Sequence, residues 1–247
     1  MKSNIAKLSQ NGVYILNIPG VNEIYNNIRN TPNAIPNSED SDYFVDFMNR
    51  VVTPEGLFIG DSQKISIFFS DKWTCRYDIN LIKQFKESIL NAKLPNNQTI
   101  IENLETIGLK YTCAYGAHYY SPEKEGIGLN AHKDVGIISV LKTNGPLRIK
   151  VSNDEWLLID MKGFQADINL NTDDCICFYG LSTYFKIGLS AALHEVPHVK
   201  RNKFTIGCFI DPDFDQYLNI FDESMLIGDY FTKYFNDKEF NKKLADI

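Results

Sequence analysis

Residues 129–141 read LNAHKDVGIISVL. His132 and Asp134 are separated by one residue, and a strand-like apolar run follows them at once. In extended backbone, residues two apart point to the same face and lie about 6.6 Å apart along the chain. Such a pair can converge on one ion. Two histidines and one carboxylate on one face make a mononuclear non-haem iron site with positions left open for substrate and oxygen. The third ligand must come from elsewhere, and the chain has four histidines: His118, His132, His194 and His198. Two of them fall in AALHEVPHVKRNKF, residues 191–204. Four residues of strand span roughly 13 Å, so His194 and His198 cannot both reach one ion from a single extended segment. Pro197 ends the strand, which leaves His194 inside it and His198 in the turn. His194 is therefore the choice for third ligand.

The sequence around this stretch has a β texture. Short apolar runs recur between turns: YTCAYGAHYY (111–120), GIISVLKT (136–143), LRIKV (147–151), EWLLID (155–160), ADINL (166–170), CICFYG (175–180), AALHEV (191–196) and KFTIGCFI (203–210). This spacing suits a sandwich or barrel. Before residue 110 the sequence predicts a strand within 11–20, a short helix over 21–31 and an exposed loop over 31–43. It then predicts helices over 79–94 and 97–111 from the apolar spacing. The ending, 229–247, reads as a helix packed on the outside. One domain accounts for this order: a mixed N-terminal region (1–110), a β core (111–212) and a helical tail (213–247).

The chain has 247 residues, a formal net charge of -6 and a pI near 5.3. That balance argues against a general nucleic-acid binder. No window is apolar enough for long enough to cross a bilayer, and the N-terminus lacks the apolar core of a signal peptide. The expectation is a cytoplasmic protein, monomeric or weakly oligomeric. Cys75, Cys113, Cys175, Cys177 and Cys208 form an odd set without CxxC spacing, so neither a disulfide framework nor a structural zinc site is expected.

In KFTIGCFI, Lys203, Thr205, Gly207 and Phe209 share one face, and Phe204, Ile206, Cys208 and Ile210 share the other. The first face carries a cation, a hydroxyl and a space made by glycine, parts suited to gripping a carboxylate inside a barrel. The second face is plain core.

With HYYSP (118–122), GLNAHKDVGIISVL (128–141), EWLLID (155–160), INLNTDD (168–174), ALHEV (192–196) and KFTIGCFIDP (203–212), the order and spacing resemble the iron(II)- and 2-oxoglutarate-dependent dioxygenases of the isopenicillin N synthase-like group. The resemblance covers roughly residues 110–212. It implies a mainly β fold with flanking helices, a double-stranded β-helix or jelly-roll barrel. It implies Fe(II) held by His132, Asp134 and His194, and 2-oxoglutarate as cosubstrate. The family's arginine and serine that hold the far carboxylate are replaced here by Lys203 and Thr205. Lysine keeps the charge but loses the bidentate fork, and Arg201 is a rival anchor. The family's Asn-x-Tyr tyrosine falls on Tyr120, with His118 in place of the asparagine.

The activity so implied is oxidation of a small molecule with O2, as hydroxylation, desaturation or cyclisation. Aspartate at 134 argues against the halogenase variant. A family oxidase without 2-oxoglutarate, a zinc hydrolase on the same barrel and a non-catalytic binding barrel are the alternatives. Aromatics before residue 110 (Tyr43, Phe44, Phe47, Phe58, Phe68, Phe69) and after Pro212 (Phe214, Tyr217, Phe221) are candidates to line the mouth, although most are expected to be packing residues.

Overall fold

Strands with a side-chain period of two bury two faces, and this chain uses that alternation to separate an inner core from an outer one. The computed structural model describes residues 2–31, 64–70, 78–123, 125–245 and 247. It opens with α1 (Lys2–Gln10), β1 (Val13–Asn17), α2 (Val21–Arg29), β2 (Lys64–Ser70), α3 (Ile79–Leu90) and α4 (Ile100–Ile107). The Asp78 carboxylate caps α3 by accepting from the Asn80 N–H at 2.8 Å. Pro95 lies ahead, and the helix stops at Leu90, short of the expected 94. The α4 segment starts late because Thr99 and Glu102 form a capping box, and it stops early at Gly108, which takes a left-handed φ of 72°. The expected loop over 31–43 lies, past residue 31, outside the described residues, as does Cys75.

The β core follows as β3 (Tyr111–Tyr120), β4 (Leu129–His132), β5 (Ile138–Thr143), β6 (Leu147–Ser152), β7 (Glu155–Met161), β8 (Ile168–Leu170), β9 (Asp174–Tyr179), α5 (Leu181–Ile187), β10 (His194–Val196) and β11 (Lys203–Pro212). A ribbon, β12 (Tyr217–Ile220) with β13 (Glu223–Leu226), leads into α6 (Ile227–Asn236) and α7 (Lys238–Ala245). The tail is thus two helices rather than the one expected. The Asp237 carboxylate accepts from the N–H groups of Glu239 and Phe240, which restarts the chain as a second helix.

One sheet has the order β1-β9-β5-β11-β3-β2 and the other β4-β10-β6-β7-β8. Every pairing is antiparallel except β7 with β8. Strands β3, β5, β9 and β11 belong to the first sheet and β4, β6, β7 and β10 to the second. This is the expected double-stranded β-helix, extended at its edges by β1, β2 and β8.

Between the sheets lie Leu141, Ile176 and Phe178 from one side and Leu147, Ile149, Leu157 and Ile159 from the other. The outer face of the first sheet buries Val140, Cys175, Cys177, Ile206 and Cys208 against Val21, Ile82, Phe85 and Leu104 of the helices. The four described cysteines, Cys113, Cys175, Cys177 and Cys208, are buried. A third cluster joins β12, β13, α5, α6 and α7 through Leu218, Ile220, Leu181, Tyr230 and Phe240.

Candidate metal centre and carboxylate pocket

Strand pairing brings together residues that are distant in sequence. β4 and β10 are antiparallel neighbours with His132 directly opposite His194. Their rings lie 4.3 Å apart, centre to centre. Asp134 Oδ1 is 3.4 Å from His132 Nε2 and 3.8 Å from His194 Nε2. One ligand atom from each residue lies within 4.8 Å of the other two. Ligand atoms about 2.1 Å from one ion and at right angles to each other are about 3 Å apart, so one small divalent ion fits this cluster. His198, exposed in its turn, sets its Nδ1 2.9 Å from the Gly126 carbonyl and has no part in the cluster.

The surroundings fix how each ligand points. His132 Nδ1 lies 2.8 Å from the Asn130 carbonyl and His194 Nδ1 3.1 Å from the Ala192 carbonyl. Each carbonyl accepts a hydrogen bond from Nδ1, so Nε2 is the atom that each ring turns toward Asp134 and the cluster. Burial lowers the His194 pKa to about 4, helped by His132 and opposed by the Asp134 carboxylate. The ring is therefore neutral near pH 7, the form a metal needs. Burial pushes the Asp134 carboxyl up. The hydrogen bond from His132, the charges of both histidines and the Ser139 hydroxyl outweigh it and hold the group well below the usual carboxylate range. Ser139 donates to Asp134 Oδ2.

Asp134 differs from expectation in one respect. His132 ends β4, and Asp134 lies beyond the strand in a turn. The turn is held from two directions. The start of α5 donates to it through Leu181 N–H on the Asp134 carbonyl (2.8 Å), Ser182 Oγ on Val135 (2.7 Å) and Thr183 Oγ1 on Ile137 (2.7 Å). Gly180 permits this approach, since a Cβ there would come 2.3 Å from the Gly136 carbonyl oxygen. From the C-terminal side, Tyr234 Oη of α6 donates to the Lys133 carbonyl at 2.5 Å.

On their shared face of β11, Lys203 and Thr205 are buried. Lys203 is 1 % exposed and sits opposite Tyr120 on β3. Its ammonium donates to the Pro146 carbonyl at 2.7 Å and lies 4.8 Å from the centre of the Tyr120 ring. It is near enough to the metal cluster to depress the His194 pKa. Thr205 donates to Thr143 Oγ1 at 2.8 Å, and His118, across from it, pairs with Ser66 Oγ at 2.8 Å. Arg201 is engaged elsewhere. It donates to Asp160 Oδ1 at 2.6 Å and to the Asn144 carbonyl, and its guanidinium stacks 3.4 Å from the Phe164 ring centre.

Among the aromatics considered for the mouth, Phe214 packs on Phe231 in the third cluster, and the exposed Phe221 lies edge-on to Phe185 and Phe240 at the border of that cluster. Tyr217 is 65 % exposed. Tyr43, Phe44, Phe47, Phe58 and the side chains of Phe68 and Phe69 lie outside what the structure describes.

No protein-family model matches the chain, and neither does any curated protein sequence. Solved structures do match. A full-length Neurospora crassa protein in complex with alpha-KG aligns over 100% of this chain and 91% of its own, with a TM-score of 0.61 and 12% identity. JOX2 in complex with 2OG, Fe and JA aligns over 93% and 79%, with a TM-score of 0.57 and 13% identity. The dioxygenase for auxin oxidation from rice aligns over 92% and 86%, with a TM-score of 0.56 and 14% identity. The chain therefore has the fold of these oxygenases, a jelly roll with flanking helices. Among the described residues no helix is long and apolar enough to cross a membrane.

Proposed function

We propose that the chain is an Fe(II)- and 2-oxoglutarate-dependent oxygenase that oxidises a small molecule, by hydroxylation unless the hold on the substrate directs desaturation or cyclisation. The observation that carries this reading is the trio His132, Asp134 and His194, with both Nε2 atoms turned inward and both Nδ1 atoms tied to carbonyls. The neighbours of like fold support it through what they hold: alpha-KG in the Neurospora protein, 2OG with Fe in JOX2, and thymine in a further complex of the Neurospora protein.

Fe(II) held by His132, Asp134 and His194 would, with 2-oxoglutarate, supply oxidation by O2 coupled to decarboxylation of the cosubstrate to succinate and carbon dioxide. The chain's own residues do the positioning. His132 and His194 offer their Nε2 atoms, and Asp134 offers a carboxylate whose second oxygen is held by Ser139. Lys203, from inside the barrel, takes the far carboxylate of the cosubstrate, and the Thr205 hydroxyl and Tyr120 border it. Arg201 is not free to take that part, because Asp160 and Phe164 hold its guanidinium. Phe178 lies 4.4 Å from the His194 ring, centre to centre, and keeps water from that flank.

Incubating the protein with Fe(II), O2 and 2-oxoglutarate tests the reading, with succinate as the readout. Succinate formed by the wild type and abolished in His194→Ala is expected. Full succinate yield from His194→Ala, or none from the metal-loaded wild type with any member of a metabolite panel, overturns it.

A further inference from the structure

The barrel-facing side of β11 carries one polar residue to which the mechanism above gives no task. Lys203, Thr205, Gly207, Phe209 and Asp211 alternate onto that side. In the β5–β11 register Ser139, the residue that holds Asp134, stands opposite Phe209. Lys203 lies six residues before that level, and Asp211 lies two residues after it. The Asp211 carboxylate is thus displaced from the metal cluster in the direction away from Lys203, along a strand that rises about 3.4 Å per residue.

It also lies close to the metal-binding turn. A Cβ on Gly136 would come 2.2 Å from Asp211 Oδ1, so glycine at that position leaves the carboxylate its place. Asp211 is not a fourth member of the ligand cluster, which comprises His132, Asp134 and His194. Among the described residues no N–H or O–H donates to its carboxylate. Burial, and then the charge of Asp134, pushes its carboxyl up to about 7. A divalent ion on Asp134 would offset the second cause and leave the first. A cation placed beside Asp211 on the substrate side then favours its ionised form.

We propose that Asp211 is the substrate-recognition carboxylate of this site, taking a protonated amine or guanidine of a small cationic substrate in a charge-assisted hydrogen bond. The inference rests on the oxygenase reading for the metal and the cosubstrate, and it adds the substrate's chemical class. With Lys203 gripping an anion on one side of the metal and Asp211 a cation on the other, the two ligands are sorted by charge. A carboxylate substrate is repelled from the mouth, and the cosubstrate is repelled from the substrate's place.

Calorimetric titration of the full chain, loaded with Mn(II) and 2-oxoglutarate, tests this with three probes of similar size: phenethylamine, phenylguanidine and 3-phenylpropionate. The two cations are expected to bind about tenfold or more tightly than the carboxylate. The preference should shrink to within about twofold in the isosteric Asp211→Asn and reverse in Asp211→Lys. A preference that survives Asp211→Asn, equal binding of all three probes by the wild type, or no binding of either cation overturns the proposal. Titrating Mn(II) and 2-oxoglutarate into the wild type separates the two readings. Failure of either to bind counts against the oxygenase, whereas normal binding of both with charge-blind probe binding removes only the role of Asp211.

Discussion

The two faces of β11 do different work on one backbone. Phe204, Ile206, Cys208 and Ile210 are all buried against the helical layer, where they meet Tyr25, Phe85 and Leu104. Lys203, Thr205, Gly207, Phe209 and Asp211 face the barrel, and three of those five are polar. The first face is redundant in kind, since any apolar side chain of the right volume serves it. The second is specific in kind, because each group is defined by its charge, its hydroxyl or its lack of a side chain. Neighbouring residues on this strand thus answer to different pressures, and mutations one position apart should fail in different assays.

The largest effect is expected on the helix-facing side. Ile206→Ala removes a fully buried side chain and should lower unfolding stability by about 2–5 kcal/mol, read from urea denaturation. Lys203→Met, on the other face, exchanges a buried cation for an apolar chain of similar length and should shift stability by under about 1 kcal/mol. Equal losses from the two variants would break the contrast between the faces.

Lys203→Met should instead weaken 2-oxoglutarate. A charge-assisted hydrogen bond in a buried site is worth about 1.5–3 kcal/mol, so the Kd should rise roughly ten- to a hundredfold. An unchanged Kd in calorimetry would move the anchor to another residue.

The same division holds on β5, where Ser139 faces the barrel and Val140 the helices. Ser139→Ala deletes the hydroxyl that orients Asp134 and should reduce Co(II) affinity about tenfold, with a changed d–d spectrum. Val140→Ala should leave that spectrum as it is while lowering the melting temperature.

The smallest effect is expected from Tyr234→Phe. It deletes one hydrogen bond on the Lys133 carbonyl, worth about 0.5–1.5 kcal/mol, and should weaken Co(II) binding by about two- to tenfold. No change in Co(II) affinity would show that α5 holds the turn alone.

Much of the site follows from period two. Alternation along KFTIGCFI places Lys203 and Thr205 together and apart from Ile206, and the structure keeps that separation. The distance argument around Pro197 selects His194 over His198, and only His194 enters the cluster. Local spacing misleads at Asp134, which it places on a strand with His132. Ser139 is readable in principle as the one hydroxyl in the apolar run GIISVL (136–141), but nothing local shows that its partner is Asp134. Nor does the sequence mark α1, β2, α5 or the β12–β13 ribbon, short elements whose formation depends on contacts with the barrel and the tail.

Residue types and their local order are legible in the chain alone: the His-x-Asp pair, a later strand histidine, and a strand with a cation on one face and core on the other. These are properties of a few consecutive residues and of backbone geometry. Which of several equivalent groups lies inside the barrel depends instead on how the chain folds. Arg201 and Lys203 are two residues apart and both cationic, yet Asp160, from 41 residues away, holds the first and leaves the second inside the barrel. The turn that carries Asp134 is fixed by α5 and by Tyr234, 101 residues beyond Lys133. Hydrogen bonds between such distant residues form only once sheet pairing has closed the chain between them, and no local pattern in the sequence encodes that closure.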